Sequence, residues 1–99
     1  MRGGSGFSAF SSAKFALRAV AQSMARELGP QGIHVAHFVI DGAIDTAFIK
    51  EIFPDTYALK EKDGILQPDS IADAYWFVHT QHRSSWTHEL DLRPYMEKF

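Results

Sequence analysis

The stretch Phe7–Leu28, FSAFSSAKFALRAVAQSMAREL, decides how this chain is read. Apolar residues recur at Phe10, Ala13, Leu17, Val20, Met24 and Leu28, three or four positions apart throughout. That period is the stripe of an α-helix and predicts a helix with one buried face. Ala, Leu, Met, Arg, Gln and Glu dominate the segment, so intrinsic propensity agrees with the pattern. Ser8 is the expected N-cap, with Ser5 as the alternative. Gly29-Pro30 is the expected stop, because Gly relieves the last turn and Pro cannot continue a helix.

Outward from this helix, Met1–Gly6 carries three glycines and a serine and reads as a flexible lead-in. Downstream, Gly29–Gly32 forms a turn, and Ile33–Ile40 (IHVAHFVI) is a nearly continuous β-rich run bounded by Gly32 and Asp41-Gly42. Such a run predicts a strand covered on both faces, the habit of parallel sheets. A helix, a short turn and a buried strand make half of a βαβ unit, and nothing upstream of Phe7 reads as the preceding strand. The loop Asp41–Thr46 (DGAIDT) then lies at the carboxyl end of that strand, where open parallel sheets take their ligands. Thr46–Phe53 is expected to be a short helix ended by Pro54. The polar stretch from 55 to 69, with Tyr57, Leu59, Ile65 and Leu66 scattered through it, reads as a partly ordered excursion or lid. Pro68-Asp69 opens a second helix, capped by Asp69 or Ser70 and ending around 80–83, with Ile71, Ala74, Tyr75, Phe77 and Val78 as its core face. Ser84-Ser85 is a turn, and Trp86–Leu92 alternates as a second strand before Arg93-Pro94 and the tail YMEKF.

Length and composition bound the function. Ninety-nine residues make at most one small domain. A chain of this size buries roughly 65% of the surface its unfolded form exposes, so the core is modest. With 45% hydrophobic and 22% charged residues the composition is that of a globular chain. A net charge of −2 gives no basic footing for nucleic acid or an acidic membrane. There is no cysteine, hence no disulfide, thiolate metal site or cysteine nucleophile. No apolar run approaches the ~18 residues of a membrane span, and MRGGSG lacks the apolar core of a signal peptide, so the expected location is the cytoplasm.

Three linked motifs carry a family resemblance: F-S-S-A-K-x-A-L from Phe10, A-R-E-L-G-P-Q-G-I-H-V from Ala25, and D-G-A-I-D-T from Asp41. Their order and spacing resemble the C-terminal half of the short-chain dehydrogenases/reductases. In that family a Tyr-x-x-x-Lys pair opens the long helix, a Gly-Ile-x-Val strand follows, and a Pro-Gly-x-Ile-x-Thr loop follows the strand. Leu66-x-Pro68 to Leu92 also looks like the family's last helix and strand, so the resemblance covers nearly the whole chain. It implies an NAD- or NADP-dependent oxidoreductase as the parent activity. Lys14 is implied to contact the nicotinamide ribose hydroxyls, and Ile44 and Thr46 the carboxamide of the nicotinamide. Residues four apart share a helical face, which is why the pair has that spacing. Here the position of the proton-transferring Tyr is Phe10, which has no hydroxyl to donate or accept a proton. The other departures are Asp41, where the family has Pro, and Asp91-Leu92-Arg93 in place of Asp-Gly-Gly. The resemblance leaves Lys14 as the remnant of the catalytic pair, and the Gly-rich cofactor loop of the first half has no counterpart here.

Other constellations are weaker. His34 and His37 are three apart in a strand and would point to opposite faces, so they cannot share one ion. His79 and His82 have a chelating spacing near a helix end, but a third ligand such as His88 or Glu89 would have to fold back. Ser11 and Ser12 lack the elbow or acid motif of a hydrolase. The expected architecture is α/β: two main helices and two parallel strands, a partial Rossmann-like (doubly wound) unit lacking the dinucleotide-binding half. Such a unit leaves a sheet edge and helix faces uncovered, and predicts a homo-oligomer, dimer or more, through the 7–28 helix and the 68–92 helix/strand. The two function classes are an oxidoreductase-like protein inactive as this truncated chain and a non-catalytic self-assembly or interaction module.

Overall fold

A computed structural model describes residues Gly6–Glu97. The expected Ser5 cap and most of the MRGGSG lead-in lie outside the described residues. Helix α1 spans Ser8–Leu28, as the apolar period predicts. Its N-cap is Phe7, without a side-chain cap bond; Ser8 is already the first helical residue and does not cap. Gly29–Gln31 tightens into a 3-10 turn rather than a clean stop, and the chain leaves through Gly32 at φ 82°, a left-handed conformation that glycine adopts without steric cost.

Strand β1 covers His37–Ile40 and pairs in a two-stranded parallel sheet with β2, Glu89–Leu92. The ladder is bracketed by His37 N–H to His88 O at 2.7 Å and Asp41 N–H to Leu92 O at 2.9 Å. Both strands start later than the sequence suggests, and the reason is side-chain bonding. Ahead of β1, His34 stacks on Trp86 (4.5 Å between centroids, 1° interplanar) and its Nε2 meets the Thr87 carbonyl at 2.7 Å. Ahead of β2, the Gln81 amide brackets Thr87, accepting from its N–H at 2.9 Å and donating to its Oγ1 at 2.8 Å. These residues are held by rings and amides, so the apolar runs are longer than the ladder.

Between the strands come α2 (Ala47–Ile52), α3 (Pro54–Tyr57), a 3-10 turn over Ala58–Lys62, and α4 (Pro68–His79). A connection of this length is what adjacent parallel strands require. The polar stretch read as a lid thus holds two helical turns, and a parallel bridge joins Ile44 to Leu66. Pro54 does not end the helical region; it opens α3 at a first-turn position that needs no N–H. The N-cap of α4 is Gln67 without a side-chain bond, so neither Asp69 nor Ser70 caps it.

Contacts divide the chain into two units. One runs through Val39 and includes Gln81–Leu90; the other comprises Ile40–Thr80 and the segment from Asp91 onward. In the first unit the buried residues are Ala21, His37 and Val39; in the second, Ile65 and Val78 lead. Two expected core faces are corrected. On α1 the stripe is largely in solvent: Phe10 is 64% exposed, Leu17 51%, Val20 54% and Met24 42%. The helix instead turns the line of Ala21, Ala25 and Arg18 inward. On α4, Val78 is buried while Tyr75 and Phe77 are exposed. Two strands offer too little surface to cover both a helix's inward line and its apolar flank.

Candidate functional site

In the first unit, Lys14 sits two turns into α1 at an exposed position, its ammonium 5.5 Å from the centroid of the Phe10 ring. The i, i+4 spacing does place the two on one face, as the sequence requires. What stands beside the lysine is an aromatic face, so the pair makes a cation–π contact, and Phe10 has no hydroxyl to exchange a proton.

One turn further, Arg18 grips Glu89 of β2 through two parallel bonds, Nε to Oε1 at 2.7 Å and Nη2 to Oε2 at 2.8 Å. This is the bidentate geometry that suits guanidinium and carboxylate. The buried His37 of β1 brings Nδ1 within 3.2 Å of Glu89 Oε1. An ionised carboxylate only accepts, so Nδ1 carries the proton in this contact. Arg18 foremost, and then His37, hold the Glu89 carboxyl below its ordinary value of 4.5 against the opposing effect of desolvation. This cluster ties α1 to both strands. Arg18 and Glu89 are 71 positions apart, and no local pattern announces their meeting.

In the second unit, the loop Asp41–Thr46 carries the other two expected cofactor contacts. Ile44 is half-buried, in its bridge with Leu66, and Asp45 N–H donates to the Leu66 carbonyl at 2.8 Å. Thr46 caps α2: its Oγ1 accepts from Ile49 N–H at 3.3 Å and donates to the Ile44 carbonyl at 3.2 Å. Its hydroxyl is therefore already engaged in both directions. Asp41, unexpected at the head of this loop, lies 3.3 Å from Arg93 Nη1, and Arg93 also pairs with Asp91. Arg93 holds the Asp91 carboxyl below its ordinary value. Asp41 and Asp91 thus share the one Arg93 guanidinium, two carboxylates on a single cation. Asp45 pairs with Lys60 at 2.9 Å, and Asp45 and then the Tyr57 hydroxyl raise the Lys60 ammonium above its usual value. Gly42 turns the loop at φ 145°; a Cβ there would stand 2.9 Å from Pro94 Cδ. Beside Ile44 opens an apolar groove of about 670 Å³, lined by Pro68, Ile71, Ala72, Tyr75, Trp76 and His79.

The histidines have other partners. His79 faces the Trp76 ring at 5.7 Å, His82 Nδ1 accepts from Ser84 N–H at 3.2 Å, and His88 Nδ1 lies 3.3 Å from the Val35 carbonyl. Among the described residues no three His, Asp or Glu side chains converge as a metal site.

No protein-family model and no curated protein matches the chain. Among solved structures it is similar to a short-chain dehydrogenase from Rhodopseudomonas palustris, with 47% sequence identity and a TM-score of 0.65. The match takes in 96% of this chain and 34% of that one. Among the described residues no helix is long and apolar enough to cross a membrane.

Proposed function

Because these 99 residues match about a third of a short-chain dehydrogenase in sequence and fold, we propose that they form a dehydrogenase-derived module that keeps cofactor-facing positions and lacks its own proton donor. The parent activity under this reading is NAD- or NADP-dependent oxidoreduction, placed in the cytoplasm. The module corresponds to the carboxyl-terminal part of a single such domain. Phe10 carries the reading. It occupies the place of the proton-transferring hydroxyl and offers Lys14 only a ring face.

The fit to a nicotinamide cofactor is partial. Lys14 is exposed and would hold the ribose hydroxyls. Ile44 and Thr46 would meet the carboxamide through the loop backbone, since the Thr46 hydroxyl serves the α2 cap. The cofactor, when bound, supplies the hydride chemistry. This chain's residues orient it and leave the matching proton unaccounted for. Turnover of any carbonyl substrate with NADH or NADPH by the 99-residue chain would overturn this reading. Titration with the two cofactors tests the rest: micromolar binding supports Lys14, Ile44 and Thr46 as contacts. An absence of binding at millimolar cofactor leaves the second reading, a non-catalytic assembly module. If Phe10→Tyr also fails to give turnover, the missing loop is the limiting defect, not the missing hydroxyl.

Self-association into a dimer or larger homo-oligomer belongs to the same proposal, through the Phe7–Leu28 helix and the 68–92 helix/strand. What supports it is the exposed aromatic set Tyr75, Trp76 and Phe77 on α4. On α1, the small exposed residues Ser12, Ala16, Ala19 and Ser23 recur on a flank distinct from the apolar stripe, which lets a second helix approach closely. Sedimentation as a folded monomer at micromolar concentration would overturn it.

A further inference from the structure

Residues 93–97, which follow β2, reach two separate stretches of the second unit, the head of the 41–46 loop and the stretch 62–64. Arg93 Nη1 stands 3.3 Å from Asp41 Oδ2. Pro94 is buried, and its ring closes over Gly42: a Cβ on that glycine would meet Pro94 Cδ at 2.9 Å and Glu97 Oε2 at 3.5 Å. The Tyr95 hydroxyl donates to the Lys62 carbonyl at 3.1 Å. Met96 reaches Gly64, where an added Cβ would stand 3.1 Å from its Sδ. Glu97 N–H donates to the Pro94 carbonyl at 3.0 Å and closes the segment into a tight turn.

The two stretches meet again further on. Ile44 and Leu66 form a parallel bridge, with Asp45 N–H on the Leu66 carbonyl and Leu66 N–H on the Ala43 carbonyl, both at 2.8 Å. Gly42 and Gly64, where Pro94 and Met96 press, each stand two positions ahead of a bridged residue. Holding both approaches fixes the separation of the two stretches as they enter the bridge. The bridge itself has little cover, since Ile44, Asp45 and Leu66 are only half-buried. Backbone pairing of this kind opens locally, without the rest of the fold. The far end of the segment is also in solvent, Tyr95 at 78% and Met96 at 41%, so it can let go without exposing a core.

We infer that residues 93–97 are a strap that latches the loop after β1. Seated on Gly42 and Gly64, the strap holds the Ile44–Leu66 bridge closed. Lifting its Tyr95–Met96 end lets that bridge open while the helices stay folded. This goes beyond the family reading, because it assigns the device that governs how Ile44 and Thr46 are presented, whatever the loop binds.

The test is amide hydrogen exchange, followed residue by residue by NMR on the free 99-residue chain. Tyr95→Ala with Met96→Ala removes the far end of the strap. Exchange of the Asp45 and Leu66 amides should then speed up at least about fivefold, with the α1 amides unchanged. Tyr95→Phe keeps the ring and loses only the bond to Lys62, so it should give a smaller rise at the same two amides. It decides the matter if the double variant does not fold. Unchanged exchange at Asp45 and Leu66 would overturn the inference. So would a rise by the same factor across α1 and α4, which would mean that the segment adds stability to the whole fold and latches nothing. No readout uses cofactor, so failure of the cofactor proposal and failure of this one are separable.

Discussion

The two Arg-anchored clusters of the molecule use the same chemistry for different ends. Arg18 joins Glu89 and, through that carboxylate, His37, linking a helix to two strands across 71 positions of sequence. Arg93 joins Asp91, two residues away, and Asp41, at the opening of the loop after β1. The first cluster fixes tertiary structure, because removing one member leaves charges stranded among α1, β1 and β2. The second joins the head of the loop to the segment after β2, and its Asp41 and Arg93 side chains are no freer to solvent than Arg18 and Glu89. The two guanidinium–carboxylate clusters thus differ in how much separate structure each joins.

Four measurements probe this contrast, and the largest effect lies outside both clusters. Gly42→Ala places a Cβ at φ 145° and 2.9 Å from Pro94 Cδ, so loop and tail cannot both keep their places. The expected loss is about 2–4 kcal/mol in urea unfolding; a loss under ~1 kcal/mol would mean that the close approach of Gly42 to Pro94 does not seat the loop. Next, Glu89→Gln removes the carboxylate that Arg18 and His37 share. It should cost about 2 kcal/mol, given two charge-assisted bonds to one side chain about a third exposed. Arg18→Met should cost a similar amount, and the double variant less than the sum.

The third is a pH profile. Glu89 has a lowered folded-state value, so its contribution is present above the unfolded carboxylate value and is lost as pH falls through the folded one. Stability should therefore decline with acidification below about pH 4.5, and the decline should shrink in Glu89→Gln. An identical acid limb in wild type and variant would assign that limb to other carboxylates. The smallest effect is expected from Lys60→Met, which removes an exposed partner of Asp45. The unfolding midpoint should stay within error, and its salt dependence should weaken slightly.

Much of the fold was legible in the sequence because it was written locally. The bounds of α1 follow from its apolar period, and α4 from Pro68 and the run after it. The loop after β1 was likewise readable from Asp41–Thr46. What was not legible depends on neighbours. The period of α1 correctly gave a helix but could not say that its stripe lacks a covering layer, because periodicity records a demand for burial and not its fulfilment. Residues 33–36 and Trp86–Thr87 read as strand from β propensity, yet a ring stack and a bracketing amide occupy them. The Arg18–Glu89–His37 cluster left no signal, since each member alone reads as a solvated charge or a strand residue. The role expected of Lys14 comes from the family resemblance, and the structure adds its contact with Phe10.

The amide of Gln81 has a further consequence. By bonding both the N–H and the hydroxyl of Thr87, it pinches the chain shut on either side of residues 82–86. Inside that pinch Trp86 is tied to His34 by its ring stack, while Arg83–Ser85 form a 3-10 turn ahead of it. The segment is therefore a natural graft point: residues added between His82 and Trp86 would lengthen a closed loop, at a cost that grows only with the logarithm of its size. Divergence in this part of the chain can proceed by insertion without disturbing the strand that carries Glu89.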